Sequence, residues 1–430
     1  MNLPDNTPRH PTRRRFLATA AGVVLLPHTP HAQGAGAKLA GLDELMNTFM
    51  SEHKPPGAAL AVSYQGRLVY ARGFGHADVQ QREPVKPQSL FRIASISKPF
   101  TAAGVMHLIE KGGLSLDDRV FSILKLEPLA GATVDPRLHD ITVRHCLQHT
   151  AGWDRDKSLD PMGAEAAEAV AKALQVPLPI RARQIIRFTL GQPLDFDPGT
   201  AYVYSNFGYC VLGRVIEAVT KQPYFKFIEQ VVLAPLGITR MQLGRNLLVD
   251  RASDEVRYYD AARRKGRAIS GPNIGKDVPL PYGVECIETM DANGGWIASA
   301  VDLVRFAVAF DDPQRCPILG ASILQTMLAP PPGPVGHRPD GKPKAAYYAC
   351  GWDIHPGRHK TGRPAKSHGG GLAGSNTFLV CRDDGINLAV LFNSDTDPAG
   401  AAFTDVLMPL LHQQVDEITD WPEWDWFGKF

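Results

Sequence analysis

Extended apolar segments stand at both ends of this chain with mostly helical text between them, and that arrangement narrows the fold more than any other feature. Gly57 to Tyr64 reads as a buried strand, and Gln65-Gly66 turns it into a second, Arg67 to Gly75. Ala346 to Ile354, Asn376 to Arg382 and Ile386 to Asn393 read as three more, the last two joined at Asp383-Asp384-Gly385. Between them the apolar spacing is helical, at roughly 143–149, 164–173, 181–190, 207–220, 224–233, 301–310 and 321–328. A helix near 42–53 precedes the first strand, and another, from about Ala401 to Ile418, follows the last. The expected fold class is α+β, an α/β sandwich. Its antiparallel sheet is formed by both chain ends, from about 55–90 and 345–395, and flanked by helices, with a mostly helical region of about 95–340 inserted. Functional groups would then fall on the seam between sheet and insertion.

Length and composition agree with a globular protein. The 430 residues are 44% hydrophobic and 21% charged, enough to bury a large core in one domain or two intimate ones. Residues 1–37 hold four of the basic residues (Arg9, Arg13, Arg14 and Arg15) and one acid, Asp5, so the remainder has 42 basic and 43 acidic residues. That balance asks for neither nucleic acid nor an anionic membrane. The leader reads as an export signal of the twin-arginine type: Arg13-Arg14-Arg15-Phe16-Leu17 opens an apolar run to Leu26 that is too short to span a bilayer. Cleavage fits after Ala32 or, better, after Ala37, which points to a periplasmic or secreted protein. The expected division is 1–37 signal, 38–419 main domain and 420–430 an aromatic tail. The six cysteines are widely spaced with no C-x-x-C, so no disulfide framework follows.

Chemistry enters at Phe91-Arg92-Ile93-Ala94-Ser95-Ile96-Ser97-Lys98, where an extended segment gives way to a helix running to about Lys111 and stopped by Gly112-Gly113. Ser95 and Lys98 are three apart, so at a helix start both side chains share a face. A serine is a weak nucleophile until a base takes its proton, and a lysine can do so only if burial or positive neighbours lower its pKa. Alone the pair is weak evidence, since Ser51-Glu52-His53-Lys54 repeats it at a helix end. Two further stretches add to it. Pro198-Gly199 leads through Tyr204-Ser205-Asn206 into the helix 207–220, and His368-Gly369-Gly370-Gly371 precedes the C-terminal strands.

This ordered set, Ser-x-x-Lys, then Tyr-x-Asn, then a basic residue followed by glycines, resembles the serine β-lactamase and penicillin-binding-protein superfamily, in its class C branch and near the family VIII esterases. The resemblance runs from about 40 to 410 and includes His145-Cys146-Leu147-Gln148-His149-Thr150-Ala151-Gly152 and Asn293-Gly294-Gly295-Trp296. It implies that Ser95 is acylated and that Lys98 and Tyr204 share proton transfer. It further implies that Asn206 orients Lys98 and the substrate, and that the backbone N–H groups of Ser95 and Gly371, beside Gly370, hold the oxyanion. It implies no metal or organic cofactor. The partner is a small-molecule ester, amide or β-lactam. The alternatives are a β-lactamase, a D-amino-acid peptidase of the DD-carboxypeptidase kind, and a non-catalytic binding module of the same fold. One departure matters: His368 stands where many members carry a lysine. A neutral imidazole gives less hold on a substrate carboxylate, so neutral esters or amides are expected over β-lactams.

Competing readings are weaker. His368-Gly369-Gly370-Gly371 also fits a lipase oxyanion motif, but no G-x-S-x-G accompanies it. His145 and His149 at helical spacing could suggest zinc, yet no further ligand follows in frame. Loops after Gly152 (Trp153, Asp154, Arg155) and around 270–290 are expected to line the cleft in this family's fold. The tail, with Trp421, Trp424, Trp426 and Phe427, is expected to fold back onto the body.

Overall fold

The computed structural model describes residues 39–357, 361 and 363–430, so the export signal expected over 1–37 lies outside the described residues. Early strands are β1 Gly57–Tyr64, β2 Arg67–Asp78, β3 Glu83–Pro84 and β4 Phe91–Arg92. The middle of the chain adds β5 Gln242–Leu243, β6 Lys265–Arg267, β7 Asp277–Pro279 and β8 Trp296–Ala298. The C-terminal part supplies β9 Tyr347–Tyr348, β10 Asp353–His355, β11 Ala365–Leu372, β12 Ser375–Cys381 and β13 Ile386–Phe392. Both chain ends meet in one antiparallel sheet of order β3-β2-β1-β13-β12-β11-β10-β9, with Ala61 of β1 opposite Ala389 of β13.

Strand periodicity builds two cores from this sheet. Ala58, Leu60 and Val62 pack with Leu42, Met46 and Phe49 of the helix Ala40–His53 and with Leu407 and Leu411 of the helix Phe403–Asp416. The alternate residues, Ala59 and Ala61, join the core that contains Leu303 and Phe306 of the helix Ala300–Val308. Both faces are covered, so all seven residues of β13 are buried. The β1–β2 turn is made as the sequence requires, with Gln65 at φ 48° and Gly66 at φ 81°. A smaller sheet, β4-β8-β5, carries the chain into the helix Ser97–Glu110.

Two strand expectations need correction. Ala346 to Ile354 is not one strand but β9 and β10, broken at Gly351 (φ 87°). A Cβ at Gly351 would come within 2.6 Å of the Ala102 Cβ, so the glycine lets this turn lie against the helix Ser97–Glu110. His368 does not precede the C-terminal strands; it is the fourth residue of one of them, β11, which lies between β10 and β12. Three successive glycines weaken the strand signal, yet close approach demands one of them: a Cβ at Gly370 would meet the Ile93 carbonyl and the Thr377 Oγ1, each at 2.3 Å.

The aromatic tail folds back along the part of β2 that β3 does not pair. Trp426 N–H donates to the Leu68 carbonyl (2.9 Å), Leu68 N–H to Asp425 Oδ1 (3.0 Å) and Trp424 Nε1–H to the Val69 carbonyl (3.1 Å). The Trp421 ring stacks on Tyr64 with centroids 4.6 Å apart. This covers a strand edge that would otherwise offer unpaired backbone groups. All six cysteines are free thiols, and Cys146, Cys210, Cys350 and Cys381 are buried. Among the described residues no helix is long and apolar enough to cross a membrane.

Candidate active site

The chain enters the site along β4. The Arg92 and Ile93 carbonyls accept from Ser375 Oγ (2.6 Å) and Thr377 Oγ1 (3.1 Å) of β12. The buried Arg92 guanidinium donates to the carbonyls of Pro281, Arg245 and Asn246 and lies 4.3 Å from the centroid of the Tyr258 ring. Ala94 then takes φ 48°, a costly value for a residue with a Cβ, and a 3₁₀ turn over Ala94–Ile96 carries Ser95 to the head of the helix.

Lys98, in the first turn of that helix, is wholly buried. Its Nζ lies 3.1 Å from Ser95 Oγ, 2.9 Å from Asn206 Oδ1 and 2.8 Å from the Asn293 carbonyl oxygen. Burial, seconded by the Arg155 charge, drives its pKa well below the ordinary lysine value, while the Asp160 carboxylate pulls the other way. Asn206 is oriented from both sides: its Nδ2 is 3.4 Å from Asp160 Oδ2, which leaves Oδ1 for the lysine.

Tyr204 arrives on the loop before the helix Asn206–Thr220, which Ser205 caps by accepting from Gly208 N–H (3.3 Å). Burial raises the Tyr204 pKa above that of free tyrosine, and the neighbouring Ser95 hydroxyl offsets part of that rise. The ammonium position of Lys98 is 4.8 Å from the Tyr204 ring centroid. Ser95, Lys98 and Asn206 are thus joined by hydrogen bonds, with the Tyr204 ring packed beside the Lys98 amine.

His368 is placed beside this group rather than in it. It is 2% exposed, its Nδ1 is 2.7 Å from the Gly369 carbonyl and its Nε2 is 3.0 Å from Tyr348 Oη. A carbonyl can only accept, so Nδ1 carries the proton and Nε2 accepts from the Tyr348 hydroxyl. Burial pushes the His368 pKa down to about 3, so the imidazole is neutral. Both ring nitrogens are spent on Gly369 and Tyr348. Gly370 packs beside Ala94, and Gly371, which is exposed and faces open space, pairs with Asn376.

A pocket of about 240 Å³ opens beside Tyr204, lined by Trp153, Arg155, Leu159, Asp160 and Phe188 among others. Trp153 and Arg155 are where the cleft expectation put them. Asp154 is not: it is buried, its N–H donating to Asp195 Oδ2 and its carboxylate accepting from Asp156 N–H, and no residue of 270–290 lines this pocket. A larger open cleft near Arg305, Asp311 and Arg363 holds none of the candidate residues. His145 caps its own helix by exchanging hydrogen bonds with Thr142, and no cluster able to hold a metal occurs among the described residues.

Sequence reasoning missed Asn293 as the second acceptor for Lys98, and Asp160, His149 and Tyr348 as groups that surround the site. Asn293 lies in a stretch that the resemblance includes without assigning it a role. Asp160 carries no motif at all.

Fold and site together define the β-lactamase/transpeptidase-like class. The Beta-lactamase family model matches residues 42–412, and the chain belongs to that family. The chain is 27% identical over 382 residues to penicillin-binding protein 4 of Amycolatopsis lactamdurans, covering 86% of this chain and 88% of that one. It is 31% identical over 271 residues to the esterase EstB of Burkholderia gladioli, covering 60% of this chain and 63% of EstB. It is 31% identical over 219 residues to penicillin-binding protein 4* of Bacillus subtilis, covering 50% of this chain and 44% of that one. Among solved structures, the octameric penicillin-binding protein homologue from Pyrococcus abyssi superposes with a TM-score of 0.63 at 26% identity, over 86% of this chain and 77% of that one.

Proposed function

We propose that the chain is a serine hydrolase that forms an acyl-enzyme through Ser95 on small neutral esters or amides. The observation that carries this reading is the wiring of Lys98. A neutral amine has two N–H bonds and one lone pair. The Asn206 Oδ1 and the Asn293 carbonyl can only accept, so they take the two N–H bonds, and the lone pair is left for the Ser95 hydroxyl at 3.1 Å. Lys98 is then the base. Tyr204, whose pKa moves the opposite way, stays a phenol and serves as a donor.

In the first step Oγ bonds to the carbonyl carbon while its proton passes to Lys98. The oxyanion is held by the N–H groups of Ser95 and Gly371, each worth about 3 kcal/mol in sites where such donors have been removed. The proton then moves from Lys98, with the Tyr204 hydroxyl as relay, to the leaving oxygen or nitrogen as that bond breaks. Water repeats the sequence to release the acid. The neutral His368 offers no cationic anchor for a β-lactam carboxylate, which favours esters, and the esterase EstB among the relatives supports the same choice. The proposal extends to export through Arg13-Arg14.

The test follows hydrolysis of short p-nitrophenyl esters and of a chromogenic cephalosporin side by side. Ester turnover that Ser95→Ala abolishes is the expected result. Turnover that survives Ser95→Ala, or a cephalosporin hydrolysed more efficiently than every ester, would sink the reading. Replacing Arg13 and Arg14 by lysine should leave the protein in the cytoplasmic fraction, and unchanged fractionation would remove the export part.

A further inference from the structure

We propose that His149 is a positioning residue that fixes the Tyr204 loop through its Nδ1, an inference that rests on Tyr204 and Asn206 acting as proposed above. His149 brackets Tyr204 along the chain. Its carbonyl accepts from Val203 N–H at 3.0 Å and its Nδ1 accepts from Ser205 N–H at 3.1 Å, so the residues on either side of Tyr204 are tied to one residue. The imidazole also packs against Tyr204 itself, with ring centroids 4.3 Å apart, and against Tyr348 at 4.4 Å.

Two costs show that this position is not filled by default. His149 has φ 57°, in the left-handed region that favours glycine or asparagine. Its Nδ1 accepts from a backbone N–H, so its proton sits on Nε2, which is buried without a hydrogen-bond partner among the described residues. An apolar side chain would avoid the second cost and could fill the same space between the tyrosines. What it could not supply is the acceptor for Ser205 N–H. Protonation would destroy that acceptor, and the site opposes it: burial first, with the Arg155 charge adding to it, holds His149 neutral. Ser205 is also the cap of the next helix, so the same bond fixes where Asn206 begins it. Acting on Tyr204 and Asn206 together, His149 would set the reach of both toward Ser95 and Lys98 without touching substrate.

Three substitutions separate this role from a backbone or filler role. Asparagine places Oδ1 where Nδ1 lies and tolerates the positive φ. Glutamine carries its polar group out to the Nε2 position. Glycine relieves the backbone and supplies no acceptor at all. Each variant of the full chain is read by kcat and KM on a p-nitrophenyl ester, normalised by active-site titration, with melting temperature alongside. The expectation is that His149→Gly and His149→Gln lower kcat about 10- to 100-fold with KM little changed, the loss that follows displacement of a catalytic group by about 1 Å, while His149→Asn recovers most of it. Glycine performing as well as asparagine would assign the residue to its backbone conformation and overturn the proposal. So would kcat unchanged in the glutamine variant, or losses in all three that follow melting temperature or appear in KM alone.

Discussion

Lys98 can serve as a base because burial outweighs the one carboxylate that faces it, and small changes in that balance should be visible in pH profiles. Asp160 holds the lysine pKa up and Arg155 holds it down. Asp160→Asn removes a group that favours the ammonium, so the free amine should persist to lower pH and the acid limb of kcat/KM should move down. Arg155→Ala should move it up. Shifts of the same sign in both variants would show that Lys98 does not govern that limb. His368 provides a second pH experiment. Its folded pKa is about 3 against an ordinary value of 6.5, so between those values the unfolded chain binds the extra proton. Its contribution is therefore present above about pH 6.5 and lost as pH falls toward 3. His368→Gln retains an acceptor for Tyr348 and cannot titrate. The melting temperature of the parent should fall relative to this variant on acidification, and a constant difference from pH 8 to 4 would contradict it. At this scale the site was legible where its logic is local. Ser95 and Lys98 share a helical face, and Tyr204 and Asn206 share a loop. Asn293 and Asp160 were not legible, because what they do depends on loops that meet only after folding, and nothing in their own neighbourhoods marks them.

Elements were legible to the extent that their side chains repeat. The helices Ala164–Leu174, Ala182–Thr189, Asn206–Thr220 and Ala300–Val308 fall close to where apolar spacing put them. β11 was hidden because its glycines carry no pattern, although they are what its position requires. Gly370→Ala would force β11 away from Ile93 and Thr377. The expected outcome is a lowered melting temperature together with lost ester turnover, at a cost above about 2 kcal/mol by the usual scale of overpacking; a variant as stable and active as the parent would show that β11 can give way. The tail makes a separate claim. Deleting residues 420–430 removes four hydrogen bonds to β2, at about 1 kcal/mol each, and the stack on Tyr64. Melting should fall and the bared edge should promote association, measured by calorimetry and by light scattering. Unchanged melting would mean that the tail contributes nothing to the fold.

For the whole molecule the governing fact is that β1 pairs with β13. The sequence made this readable in outline, because the long extended stretches lie near the two ends. It did not reveal that Ala346 to Ile354 enters the sheet as two short strands, since their break at Gly351 depends on the helix Ser97–Glu110 packed against it. Hydrogen exchange offers a direct check: amides of β1 and β13 should open together, with one free energy, and different values would mean that the ends are independent units. The pairing also bears on how the protein is made. At 5–20 residues per second a ribosome needs roughly 15–65 s to go from the first strand to its partner, and through that interval an apolar strand has no neighbour on one side. Closure of the central sheet therefore waits for the end of synthesis, and the yield in a cell depends on what shelters the first strand while the last is still being written.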